Sequence, residues 1–168
     1  MNTKFIFGLI ILFLSSCVSH PDKEEKTQEK KDSVMLVGKV TVEELKNSDF
    51  KNYFSSGYSD YTPQTSLIEK LKEMENNYSI TVVLATWCSD SQEQVPHFFK
   101  IIDLINSNNK TSVICVNRKK QAEGTNVSIL DIQRVPTFIF YRDGEEIGRI
   151  IETPTDTLEK DMLTILTR

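Results

Sequence analysis

Ala85-Thr86-Trp87-Cys88-Ser89-Asp90-Ser91 is the stretch on which the reading of this chain turns. Before it runs Ile80 to Leu84, rich enough in β-branched residues to form a buried strand. After it, Val95, Phe98, Phe99, Ile102 and Ile105 recur at the spacing of one helix face. Cys88 therefore falls where a strand gives way to a helix. The first N–H groups of a helix have no internal partner, and the macrodipole concentrates positive charge there. A thiolate is favoured at such a position, and the thiolate is the form of cysteine that attacks disulfides. A core cysteine would not be expected to precede three polar residues, Ser89, Asp90 and Ser91.

Two further features lie downstream. Pro96 follows Cys88 by eight residues, inside the helical segment, where it removes the hydrogen bond its N–H would make to the Gln92 carbonyl. Val135-Pro136-Thr137 stands immediately before the apolar run Phe138 to Tyr141. Together with Trp-Cys-x-x-Ser at a strand-to-helix junction, these features resemble the active site of the thioredoxin superfamily, with serine in the second cysteine position. Among that family's members the chain is similar to thioredoxin-like bacterial lipoproteins with Trp-Cys-x-Asp-Cys or Trp-Cys-x-Asp-Ser sites. The resemblance implies an α/β fold: a three-layer α/β/α sandwich around a mixed central sheet, with an N-terminal helical and strand extension. It also implies that Val135-Pro136-Thr137 is a cis-proline loop facing Cys88. Cys88 and Ser91 would then be the catalytic pair, and Trp87, Val135, Pro136 and Thr137 would bind substrate, the Val135 backbone pairing with an extended segment.

The departures from the family pattern limit the chemistry. Ser91 cannot resolve a mixed disulfide, because a hydroxyl does not displace a thiolate to form an S–S bond; it can still hydrogen-bond the Cys88 sulfur. Val82 stands where thioredoxin carries a buried aspartate. Asp90 replaces the proline of the common motif. Its charge opposes ionisation of the neighbouring sulfur, while its position suits a helix N-terminus.

The first sixteen residues read as an address. Lys4 precedes an apolar run from Phe5 to Leu14, too short to span a bilayer but the length of a signal-peptide core. It closes with Leu14-Ser15-Ser16-Cys17, which resembles a bacterial lipobox, in which Cys17 becomes lipidated. Residues 17–33 then form a charged tether holding five acidic and four basic side chains between Asp22 and Asp32, with almost nothing apolar to bury. Within it, Lys23-Glu24-Glu25 resembles a lipoprotein surface-export signal. The expected location is the bacterial cell envelope, with the chain anchored to a membrane through Cys17. Residues 34–168 form one thioredoxin-like domain, 34–78 its extension and 79–168 its core.

Composition narrows the function classes. Twenty Lys and Arg against twenty-four Asp and Glu give a net charge of −4, and no basic cluster points to nucleic acid. There is no Gly-rich phosphate loop, so no nucleotide cofactor is expected. The two histidines, His20 and His97, are too few and too scattered for a His/Cys metal site. His97 is nine residues past Cys88, about 13 Å along a helix, and reads as a surface residue. With Cys17 taken by lipid, Cys88 and Cys115 remain. Cys115 sits in the apolar run Ser112 to Val116 and reads as core, unbridged to Cys88.

Taken in order, the domain begins with a first strand expected over Val34 to Val37. Thr41-Val42-Glu43-Glu44 has the spacing of a capping box, opening a helix that carries Leu45 and Phe50. Tyr53 to Tyr61 shows no usable period, and reads either as a loop beside the site or as core of the extension. Pro63 is placed at the first position of a helix that buries Leu67, Ile68, Leu71 and Met74. Past the Cys88 helix come a strand at Thr111 to Val116, a polar loop and a helical turn at Val127 to Ile132. Phe138 to Tyr141 and Glu146 to Ile151 form a hairpin around Asp143-Gly144. Thr155 or Asp156 is expected to cap a last helix carrying Leu158, Met162, Leu163 and Leu166.

Two functions follow. One is monothiol exchange, in which Cys88 forms mixed disulfides with envelope proteins or small thiols and an external thiol releases them. The other is a binding module that docks extended peptides at the groove beside Pro136, without turnover.

Overall fold

Alternation along the strands explains how the molecule is layered. In the computed structural model, which describes residues 35–74 and 77–168, Ile80, Val82 and Leu84 of β2 (Tyr78–Leu84) face one core, while Val83 faces another. β2 is central. The sheet order is β1-β3-β2-β4-β5, with β1 at Gly38–Val40, β3 at Thr111–Cys115, β4 at Thr137–Arg142 and β5 at Glu145–Ile151. β2 and β3 are parallel and every other pair is antiparallel, so the sheet is mixed. A parallel neighbour needs a crossover, and the helix that follows Cys88 supplies it.

All five α-helices among the described residues contribute to one core cluster. They are α1 (Val42–Lys46), α2 (Lys51–Asp60), α3 (Thr65–Glu73), α4 (Ser89–Leu104) and α5 (Leu158–Leu166). Leu45, Phe54, Ile68, Leu71, Phe98, Phe99, Ile102 and Met162 meet there with Phe138 and Phe140 of the sheet. The second face is covered differently. Val83, Ala85, Ile114 and Val116 pack beneath Ala122, Val127 and Val135, in a segment whose only helical piece is a 3₁₀ turn at Val127–Ile129. The α/β class and mixed sheet are as the sequence implies, but the two outer layers are unequal.

Local signals were decisive in several places. Thr41 caps α1 with both bonds of a capping box: its hydroxyl accepts the Glu44 N–H at 3.1 Å, and the Glu44 carboxylate accepts the Thr41 N–H at 2.7 Å. Asp143 (φ 52) and Gly144 (φ 87) form the two-residue β4–β5 turn. Positive φ at both central residues is what a type I′ hairpin requires.

Other expectations moved. The first strand begins at Gly38 rather than Val34, because only Gly38 to Val40 lies opposite Cys115 to Val113; Met35 and Val37 remain exposed. α1 ends at Lys46, and Phe50 becomes the N-cap residue of α2. Tyr53 to Tyr61, left without a period, is mostly this helix. Phe50, Phe54, Tyr58 and Tyr61 recur every three or four residues and turn toward α4 and the core. Gly57 permits the approach, since a Cβ there would lie 3.0 Å from Cβ of Pro96. Pro63 precedes the helix it was expected to open: α3 starts at Thr65, with Gln64 as its N-cap. Thr157, rather than Thr155 or Asp156, caps α5, its hydroxyl accepting the Lys160 N–H. Asp156 pairs instead with Lys160, and Thr155 donates its N–H to Asp161 at 2.6 Å.

Candidate functional site

Cys88 is the N-cap residue of α4, with extended backbone (φ −92, ψ 127). Its side chain does not cap the helix. The thiol turns the other way and donates to the Val135 carbonyl, with Sγ–O at 3.1 Å. A longer contact of 3.8 Å runs to Oδ2 of Asp90 in the first turn. Cys88 is half-buried and free, so one side of the sulfur is open to a reactant.

The Val135–Pro136 peptide bond is cis. Val135, Pro136 and Thr137 are all buried where the chain enters β4. The Thr137 hydroxyl donates to the Arg134 carbonyl at 2.7 Å, and the Pro136 carbonyl accepts the Glu152 N–H at 2.7 Å. The loop is thus tied to both flanks of the sheet end. Among the described residues the Val135 N–H has no acceptor, so this residue keeps one free backbone group beside the sulfur. Arg134 forms an ion pair with Glu152 at the rim, and the Asp90 carboxylate is near enough to favour its charge further.

Trp87 lies half-buried beside Cys88. The Arg118 guanidinium sits over its ring, 4.9 Å from the centroid. Its indole Nε1–H is buried without an acceptor among the described residues. Gln92, one turn into α4, donates from Nε2 to the Thr86 carbonyl at 2.9 Å and fixes the segment leading into Cys88.

Ser91 departs from expectation. It is fully buried, and its hydroxyl accepts the Ala85 N–H at 3.3 Å. No hydrogen bond joins it to Cys88 among the described residues; it braces the turn between β2 and α4. Val82 packs in the core against apolar neighbours. Cys115 is fully buried and free, and burial pushes its thiol up to about 12. His97 is half-buried rather than on the surface. Its ring stacks on Tyr61 at 4.2 Å between centroids, and burial holds its pKa below the usual value. It makes no bond to Cys88. Cys17 lies outside the described residues.

One feature of the site could not be read locally. A cleft of about 480 Å³ opens beside Trp87, lined also by Met35, Asp49, Tyr53 and Arg118. Its walls come from the N-terminal segment, the α1–α2 connection and the loop after β3. The exposed Tyr53 inside an aromatic-rich segment was the only sequence signal for it.

These features agree with the comparisons. A thioredoxin family model matches residues 40–164, and the chain belongs to that family. Thioredoxin-3, a mitochondrial protein of Saccharomyces cerevisiae, is 28% identical over 108 residues, which cover 64% of this chain and 81% of that protein. Thioredoxin H9 of Arabidopsis thaliana is 27% identical over 107 residues, covering 62% and 73%. The crystal structure of a protein of unknown function from Pseudomonas aeruginosa shares the fold, with a TM-score of 0.50 at 18% identity over 70% of this chain and 81% of that one. Membership of this family points to thiol–disulfide chemistry.

Proposed function

We propose that this chain is a monothiol thiol–disulfide exchange protein of the thioredoxin family, anchored to a membrane of the bacterial cell envelope. The observation that carries the reading is the half-exposed Cys88 thiol held 3.1 Å from the Val135 carbonyl. Its substrates are disulfide- or thiol-containing proteins or small thiols of the envelope, and it needs no metal or other cofactor.

The contact to Val135 gives the exchange a sequence. When Cys88 loses its proton, the Val135 carbonyl loses its donor. That carbonyl and the free Val135 N–H are then one acceptor and one donor on a single residue, the pair that an added strand uses. An extended substrate segment docks there, beside Trp87, Pro136 and Thr137. The Cys88 thiolate attacks one sulfur of the substrate disulfide; a Cys88–substrate S–S bond forms, and the second sulfur leaves with the electron pair. Ser91 provides no second thiol. An external thiolate therefore attacks the substrate sulfur and returns Cys88 to its starting state, so disulfides are exchanged without net change in Cys88.

The anchor rests on Leu14-Ser15-Ser16-Cys17, with residues 1–16 removed as a signal and 17–33 serving as tether. Lipid at Cys17 places the domain, residues 34–168, at the membrane surface. Cys17→Ser should move the protein from the membrane fraction to the soluble fraction of the envelope.

The exchange reading is tested by acid-quenching intact cells and capturing mixed disulfides. Wild type should carry covalent partners that reductant releases, and Cys88→Ala should carry none. Equal recovery of partners from both would leave peptide docking at the Pro136 groove as the function and remove the covalent step.

A further inference from the structure

Exchange through one cysteine leaves open which thiol completes the cycle, and the cleft beside Trp87 has the chemistry to hold it. Its walls carry Asp49 and Arg118, both exposed, and among the described residues neither forms an ion pair or hydrogen bond. Arg118 spends its face on the Trp87 ring and leaves its guanidinium N–H groups unpaired. An unmatched carboxylate and an unmatched guanidinium across one cleft complement a small zwitterion. Tyr53, 47% exposed, and Met35 add apolar and aromatic surface for the body of such a molecule. At about 480 Å³ the space suits a molecule of one to three amino-acid residues rather than a protein.

We infer that this cleft binds the resolving thiol, a low-molecular-weight thiol built on an amino acid, with its carboxylate at Arg118 and its ammonium at Asp49. The inference rests on the exchange reading above. The bound thiol gives its proton to solvent, and its sulfur attacks the substrate sulfur of the Cys88 mixed disulfide. A new S–S bond joins the small thiol to the substrate, and the Cys88–substrate bond breaks with its electron pair on Cys88. The sulfur count and the electron count both balance without another reductant. The α1–α2 connection and the residues before β1, which supply half of the cleft, thereby gain a role in choosing the thiol.

The test uses the full chain carrying Cys17→Ser, so that Cys88 is its one reactive thiol. Cys88 is first converted to a mixed disulfide by exchange with the disulfide of N-acetylcysteine amide, an uncharged probe, and return of the free Cys88 thiol on adding a second thiol is followed by intact mass after acid quenching. Cysteine should release it with a rate that saturates, and 2-mercaptoethanol with one that stays linear. The cysteine-to-mercaptoethanol rate ratio should fall about tenfold in Arg118→Gln and in Asp49→Asn, and recover in part in Arg118→Lys. Linear dependence on cysteine, with ratios within twofold of each other in all these proteins, overturns the cleft assignment and leaves exchange at Cys88 standing. Failure of Cys88 to take up the probe overturns both.

Discussion

Two cysteines stand near the ends of adjacent parallel strands and meet opposite fates. Cys115 closes β3, directly opposite Leu84 at the end of β2, and is buried on all sides. Cys88 comes four residues after Leu84, past the turn braced by Ser91 and Gln92, and opens onto the surface against the Val135 carbonyl. Burial without a donor or a cation to favour the anion pushes the Cys115 thiol up to about 12. The sheet puts the two sulfurs at the same end of the molecule. What separates their chemistry is whether the chain has left the strand.

The broadest way to break the comparison is alkylation of the native protein at pH 8. With a pKa of about 12, the thiolate fraction at Cys115 is about three orders of magnitude below that of a free thiol. Iodoacetamide followed by peptide mass analysis should modify Cys88 within minutes and leave Cys115 intact until the protein unfolds. Equal labelling would mean that the end of β3 opens as readily as the turn at Cys88.

Stability should divide the pair in the reverse sense. Cys115→Ser puts a hydroxyl into an apolar site and should lower unfolding free energy by about 1–3 kcal/mol in urea titrations. Cys88→Ser, at a half-exposed N-cap where serine is a favoured residue, should change it by less than about 0.5 kcal/mol. The residue that matters to chemistry is then the one that matters little to folding.

Ser91 tests whether the proposed exchange lacks only a second sulfur. Ser91→Cys should raise the rate of insulin disulfide reduction with dithiothreitol by about tenfold, since an intramolecular thiol replaces one drawn from solution. The gain has a structural counterpart, because the thiol is a poorer acceptor for the Ala85 N–H than the hydroxyl it replaces. No gain would shift the block to Val82, an apolar residue in the core where no proton can be handed on.

How much of this was legible in the sequence follows from how local each signal was. The Cys88 junction, the capping box at Thr41 and the Asp143-Gly144 turn are each written within a few residues, and the structure has all three. Helix α2 was not read, although Phe50, Phe54, Tyr58 and Tyr61 keep helical spacing, because Ser55, Ser56, Gly57 and Ser59 between them carry weak helix propensity. Packing on α4 overrides that propensity. Ser91 was tied to the wrong partner: adjacency suggested Cys88, and the backbone at Ala85 took the hydroxyl. The cleft at Trp87 was beyond reach, since Asp49 and Arg118 are brought together only by the fold.

A buried carboxylate sharpens the lesson of Cys115 by supplying what that thiol lacks. Glu159 at the start of α5 is 2% exposed, and burial alone would raise its pKa. Instead the Gln64 N–H, at 2.9 Å, and the Tyr61 hydroxyl, at 2.6 Å, donate to its two oxygens and hold it below the usual carboxylate range. A depressed folded-state pKa means stability that is present above the unfolded value of about 4.3 and lost as pH falls through the folded one. Tyr61→Phe should therefore cost about 1 kcal/mol at pH 7 and progressively less as acid protonates Glu159. Urea unfolding at pH 7 and at pH 3 measures the difference. A penalty that did not shrink in acid would mean that Tyr61 works through its ring against His97 rather than through its hydroxyl. The contrast between a buried group with donors and a buried group without them would then have to rest on the Gln64 and Glu159 N–H groups and the Thr157 hydroxyl.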